Sequence, residues 1–246
     1  GRTDILLSPL GLGTVKLGRN TGVKYPHRFQ IPGDDEAANL IAQAKALGIN
    51  LIDTAPAYGS SEERLGHLLR GQRRDWVICT KVGEEFEHEK SHFDFSAKYT
   101  RFSIERSLRR LHTDYLDIVL IHSDGNDLAI IDNGEALAAL DQCKREGLIR
   151  AYGISTKTVE GGIAAAKISD AVMATYTPDY TTEKTVLDFC NEHKKGVLIK
   201  KAFASGHATD PAAALRFVLR HPGVSSIIVG TINPQHLQQN VAALLM

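Results

Sequence analysis

INLIDTAPAYGS at 49–60, WVICTK at 76–81 and YLDIVLIH at 115–122 decide the fold. Each opens on a nearly continuous apolar run and then turns polar, at Asp53, Lys81 and His122, with Tyr58 five residues past Asp53. Apolar runs without alternation are the pattern of strands buried on both faces, as in a parallel sheet. Set side by side, such strands bring a carboxylate, a phenol, an ammonium and an imidazole to one end of the sheet.

The same pattern extends outward in both directions. Strands are predicted at 11–15, 49–53, 76–80, 115–121, 149–154, 172–176, 197–200 and 226–229. Helical spacing fills the intervals at 35–47, 61–69, 99–111, 133–146, 162–168, 182–193 and 210–219. Gly48 and Gly147 stand at C′ positions, Ser60 and Glu63 have capping-box spacing, and Pro211 stands at N1. A last helix begins at Asn233–Pro234 and runs to the chain end. Eight unbroken strand–helix units predict a closed (β/α)8 barrel, one domain over 1–246. An open doubly wound sheet is the alternative, but Gly11-Leu-Gly13 is followed by Thr14-Val15-Lys16, not the GxGxxG turn that fold carries. In a barrel the C-terminal strand ends form the mouth where chemistry sits.

Composition narrows the classes. The chain has 246 residues, 43% hydrophobic and 24% charged, with a net charge of zero. That favours neither a nucleic-acid nor a membrane-surface partner. No apolar run reaches the length of about 18 residues that a membrane span needs. The start, GRTDILLSPLG, lacks a signal peptide's apolar segment, so the expectation is cytoplasmic; Gly1 reads as a cloning remnant or a processed end. Cys79, Cys143 and Cys190 are far apart and form no metal pattern, which fits reduced buried thiols.

Taken singly, Asp53 reads as a helix cap, Lys81 as a snorkelling lysine, His122 as a core histidine and Tyr58 as packing. Taken together at three successive strand ends, they form an acid–base set. A phenol of pKa about 10 donates to an oxygen becoming an alkoxide, and a nearby ammonium eases the transfer. Asp53 holds Lys81, and His122 orients the substrate oxygen or relays its proton. No GxSxG nucleophile is present. The set therefore suits a carbonyl receiving a hydride, which a nicotinamide cofactor supplies.

The chain resembles the aldo-keto reductase family, bacterial type, over nearly its whole length. LGLGTVKLG (10–18), GINLIDTAPAYGSSEERLG (48–66), CTKVG (79–83), SIERSLRRLHTDYLDIVLIH (103–122), GLIRAYGIS (147–155) and VGTINPQHLQQNV (229–241) carry the resemblance. It implies a (β/α)8 barrel reducing aldehydes and ketones with NADP(H), through a catalytic tetrad falling on Asp53, Tyr58, Lys81 and His122. By that resemblance Tyr58 is the general acid and Lys81 lowers its pKa. It also implies a small-molecule carbonyl substrate and a monomer.

The cofactor positions depart from the family pattern. The resemblance places the cofactor along Gly13, Thr14, Asp53, Ser155, Thr156, Lys200, Gly230, Thr231, His236, Gln239 and Asn240. Thr156 replaces an amide side chain, Lys200 stands where a stacking tyrosine is usual, and His236 replaces an arginine. NADP(H) is expected, with NAD(H) as the second choice. Lys16, Tyr25, Phe86 and Ser123 are the pocket candidates, with Phe93 and Phe95 further along the 84–95 loop. The chain stops at Met246 where relatives extend across the pocket, so an open site is expected. His88-Glu89-Lys90-Ser91-His92 spells the zinc signature HExxH, but in a polar loop rather than a helix, and no metal is expected. A redox-sensing subunit without turnover and a metal-dependent barrel hydrolase are the rival readings.

Overall fold

The computed structural model describes residues 3–244; Gly1 and Met246, on which two expectations fall, lie outside them. The strands are β1 (Leu10–Gly13), β2 (Leu51–Asp53), β3 (Val77–Val82), β4 (Glu84–Glu87), β5 (Lys90–Phe93), β6 (Leu116–His122), β7 (Ile149–Ser155), β8 (Ala171–Thr175), β9 (Gly196–Lys200) and β10 (Ser226–Val229). All but β4 and β5 close a parallel barrel in chain order, with β10 pairing back onto β1. The helices are α1 (Val15–Gly18), α2 (Asp34–Ala46), α3 (Ser61–Leu68), α4 (Ala97–Arg110), α5 (Asp127–Asn133), α6 (Glu135–Arg145), α7 (Val159–Ile168), α8 (Lys184–Glu192), α9 (Pro211–Leu219) and α10 (Pro234–Ala242). This is the expected (β/α)8 barrel. Among the described residues no helix is long and apolar enough to cross a membrane.

Strand alternation sorts the core into two shells. Leu51, Cys79, Ile118, Leu120, Ala151, Met173 and Leu198 fill the barrel interior. Ile52, Ile78, Val119, Ile121, Ile154, Val172 and Ile199 point outward into the layer beneath the helices. Both faces are dry, which is why the sequence runs are continuous rather than alternating. Each fully buried aliphatic side chain stabilises the fold by about 1.5–3 kcal/mol.

The structure corrects several local expectations. The first strand stops at Gly13, and Val15 opens the short helix α1. Ser60 makes no side-chain cap, and Glu63 instead pairs with Arg110 at 3.1 Å. The helix expected at 133–146 is broken at Gly134, whose left-handed φ of 71° separates α5 from α6. The weak helix expected at 162–168 starts earlier, at Val159, capped by Thr158 accepting from Gly161 N. The last helix ends at Ala242, short of the chain end. The polar 84–95 loop is largely an antiparallel hairpin, β4–β5. Its turn residues His88 and Glu89 have φ of 48° and 62°, the signature of a type I′ turn. HExxH therefore lies on a hairpin, and its histidines do not share a helix face.

Candidate active site

Register places the site. Gly13 pairs with Asp53, His122 with Ser155, and Thr175 with Lys200, so these strand ends share one rim. Gly13, Thr14, Lys16, Tyr25, Asp53, Tyr58, Lys81, His122, Ser155, Lys200 and Gly230 all line one cavity of about 240 Å³ at that mouth.

The turn after β2 fixes the phenol. Thr14 bonds to the Asp53 carbonyl through its backbone N–H and its hydroxyl, both at 2.9 Å. Ser61 Oγ in turn donates to Thr14 Oγ1 at 2.8 Å. Pro56 starts a 3-10 turn at Pro56–Tyr58, and Gly59 then leaves it at φ 61°, ψ −125°. A Cβ at Gly59 would stand 2.2 Å from the Gly18 carbonyl oxygen. Only glycine fits that conformation and that approach.

Behind the phenol lies a buried ion pair. Lys81, 1% exposed, donates through Nζ to Asp53 Oδ1 at 2.6 Å and to the Thr54 carbonyl at 2.9 Å. Nζ sits 4.8 Å from the Tyr58 ring centre. Burial pulls Lys81 down, but the charges of Asp53 and Tyr58 outweigh it and hold the ammonium well above its ordinary range. Burial pushes the Tyr58 phenol up to about 12 even though Lys81 pulls against it. Lys81 thus lowers the phenol relative to its buried state, without bringing it below an ordinary tyrosine.

His122 closes the other side, its ring edge-on to Tyr58 with centres 6.4 Å apart. Its Nδ1 stands 2.6 Å from Glu84 Oε2 on the hairpin. Burial opposes ionisation of Glu84, yet its contacts with His122, Ser91 and Arg19 bring it down to about 2. Burial lowers His122 as well; Glu84 raises it, while Lys81 and Lys200 push it down further.

A second cation reaches the mouth from β9. Lys200 Nζ donates to Ser155 Oγ at 2.9 Å and to the Thr156 carbonyl at 2.6 Å. Burial, with Lys201 and Lys157 nearby, brings Lys200 down to about 7 against the upward pull of Glu183. Lys201, at a left-handed φ of 57°, also turns into the cavity.

The groove continues toward α10. A cavity of about 570 Å³ is lined by Thr231, His236, Gln239 and Asn240, and it shares Lys16, Tyr25, Phe203, Gly206 and Gly230 with the first. Lys16 Nζ lies 4.0 Å from the Tyr25 ring centre, at the junction of the two. Asn233 caps α10, accepting from Gln235 N and His236 N.

Five sequence candidates are not brought to the cavity: Phe93 and Phe95 pack on each other with ring centres 6.0 Å apart, and Ser123, Phe86 and Thr156 go elsewhere. Ser123 is buried outside it, with Oγ donating to Asp127 Oδ1 at 2.5 Å. The Phe86 face is covered by the Arg19 guanidinium, 3.2 Å from the ring centre. The Thr156 side chain is buried with Oγ1 unpartnered, and only its carbonyl reaches the site, through Lys200. Sequence reasoning missed Glu84, although a carboxylate two residues past β3 was a usable signal. It also missed Phe203, Ser205 and Gly206, which wall the cavity from the loop after β9.

Residues 9–210 match the model of the Aldo/keto reductase family. Among solved structures, PA4992 of Pseudomonas aeruginosa, a proposed aldo-keto reductase, is 58% identical with a TM-score of 0.91, covering 99% of this chain and 92% of that one. The oxidoreductase YqkF of Bacillus subtilis, itself uncharacterized, is 27% identical over 99% of this chain and 89% of its own length. The NADH-specific methylglyoxal reductase of Escherichia coli is 28% identical over 99% of this chain and 92% of its own.

Proposed function

This chain belongs to the aldo/keto reductase family, and we propose that it reduces aldehyde or ketone carbonyls to alcohols, with Tyr58 as general acid. Family members use nicotinamide cofactors, NADH or NADPH, and act on small molecules. The observation that carries the reading is the buried Lys81–Asp53 pair beside Tyr58 at a cavity that His122 also faces.

The residues present fit a dinucleotide. A Cβ at Gly230 would meet Tyr25 Oη at 3.0 Å, so the bare backbone there keeps the groove open between its two halves. Lys16, Lys200 and Lys201 line it, giving a cationic mouth on a chain of zero net charge, as a diphosphate requires. Gly13, Thr14, Asp53, Ser155, Lys200 and Gly230 would hold the nicotinamide end, and Thr231, His236, Gln239 and Asn240 the adenine end. When bound, the nicotinamide supplies the hydride that no side chain can.

The chain's own residues handle the proton. Tyr58 donates it to the carbonyl oxygen as negative charge develops there. A phenol near about 12 is a weaker acid than an ordinary tyrosine, yet it remains a stronger acid than the product alcohol, so transfer runs downhill. Lys81 stabilises the phenolate left behind, Asp53 keeps Lys81 charged, and His122 orients the substrate oxygen. NADPH is the first choice of cofactor. Use of NADH is favoured by His236, which offers no fixed cation for a 2′-phosphate. A cytoplasmic, monomeric, one-domain enzyme is part of the same reading.

The test follows NADPH and NADH absorbance over a panel of aldehydes and ketones, for the native chain and Tyr58→Phe. Loss of the acid is expected to lower kcat by about 10²–10⁴ while cofactor binding, read by fluorescence, persists. Cofactor binding by the native chain without turnover of any substrate would leave the sensor reading standing instead.

A further inference from the structure

We propose that Glu84 is a positioning residue that fixes the tautomer of His122, making the ring a hydrogen-bond donor to substrate only when it is protonated. The inference rests on the reading of His122 as the residue facing the substrate oxygen.

The hairpin delivers the carboxylate. Glu84 opens β4 directly after Gly83, and Asp94 N donates to the Gly83 carbonyl at 3.0 Å, which closes the hairpin base. Ser91, across the hairpin, donates to Glu84 Oε1 at 2.6 Å. That leaves Oε2 against the imidazole, 2.6 Å from His122 Nδ1. The contact is short but off hydrogen-bonding alignment, and Nδ1 is buried with no other partner. An ionised carboxylate only accepts, and its negative charge 2.6 Å away favours a proton over a lone pair at that nitrogen, so the proton lies on Nδ1. Glu84 is itself held as the anion by His122, Ser91 and Arg19.

The consequence falls on the opposite nitrogen. In a neutral ring with Nδ1 protonated, Nε2 carries a lone pair. That lone pair accepts from an alcohol and repels a carbonyl oxygen. Only the imidazolium offers Nε2–H to a carbonyl. The charged and titratable groups around the ring are Tyr58 after β2, Lys81 on β3, Glu84 on β4 and Lys200 on β9, with Arg19 behind Glu84. In reduction the bound nicotinamide would supply the hydride to the carbonyl carbon, and Tyr58 the proton to its oxygen. His122 gives up no proton in that balance; it orients the oxygen, and it does so as a donor only in its protonated form.

The test is imidazole ¹⁵N NMR of the full chain, with the His122 signals assigned from His122→Asn, alongside pH profiles of carbonyl reduction. Neutral His122 is expected as the Nδ1–H tautomer in the native chain. Reductive kcat/KM is expected to fall about tenfold over the pH unit above the His122 transition. Glu84→Gln offers an amide N–H to Nδ1, so neutral His122 gains the Nε2–H tautomer and the fall in kcat/KM flattens. A native Nε2–H tautomer, or superimposable pH profiles for the native chain and Glu84→Gln, would overturn the proposal. The native spectrum decides the tautomer even where the variant fails to fold. It also does so where the chain reduces no carbonyl, an outcome that would sink the functional reading alone.

Discussion

Asp53→Asn turns a buried ion pair into a buried ammonium without its anion. Lys81 is 1% exposed; it keeps neutral acceptors, the Thr54 carbonyl at 2.9 Å and the amide oxygen of the new side chain, but no anion. Removing one partner of a buried pair costs about 3–5 kcal/mol. Lys81 has a second course, which is to enter the fold neutral. For a lysine of pKa about 10.4 in the unfolded chain, losing the proton costs about 4.6 kcal/mol at pH 7 and about 1.9 kcal/mol at pH 9. Neutralisation therefore caps the deficit inside the expected range at pH 7 and well below it at pH 9. The sign follows from linkage. In the variant the folded pKa of Lys81 lies below the unfolded one, so the unfolded chain binds more protons and stability rises with pH, by up to about 1.4 kcal/mol per unit. In the native chain Asp53 holds Lys81 well above its ordinary range, so this proton does not leave over the same window. Urea unfolding of both proteins at pH 7 and pH 9 reads the difference. A deficit below about 1 kcal/mol at pH 7, or one that is the same at both pH values, would refute a buried ammonium dependent on Asp53.

Gly59→Ala places a Cβ 2.2 Å from the Gly18 carbonyl at a φ of 61°; a loss of about 2–4 kcal/mol in urea unfolding is expected, with weakened activity because Tyr58 precedes the turn. Lys200, brought down to about 7 by burial, is an ammonium below that pH and an amine above it. Cofactor affinity by fluorescence titration should therefore fall by about tenfold from pH 6 to pH 8, and Lys200→Met should bind weakly and without that pH dependence. His236→Arg puts a fixed cation on the groove toward α10; the NADPH-to-NADH affinity ratio should rise by about tenfold, about 1.4 kcal/mol, read by the same titration.

The barrel was legible because its strands are dry on both faces, so 115–121 and its counterparts stand out as unbroken apolar runs. Asp53, Lys81 and His122 were legible as mouth residues for the same reason, since a polar side chain following such a run marks a strand end, and Tyr58 stands close behind Asp53. Glu84 was not, because EEFEHEKSHF carries no apolar face to announce a hairpin, and its partner His122 is reached only when β3 and β6 pair. The failed neighbours share one cause, the twofold period of a strand. His122 and Ser155 point into the mouth, so Ser123 and Thr156, one residue on, turn outward: Ser123 to Asp127, Thr156 into the packed layer. Parity alone would likewise have sent Lys201 outward after Lys200. Its left-handed φ of 57° breaks the strand geometry and returns the side chain to the cavity, where two adjacent cations then share one wall. Repulsion between them is one of the forces that hold Lys200 near neutrality. The backbone turn after β9 thus adds to the effect of burial on the lysine before it, a coupling of conformation to electrostatics that neither residue's identity reveals.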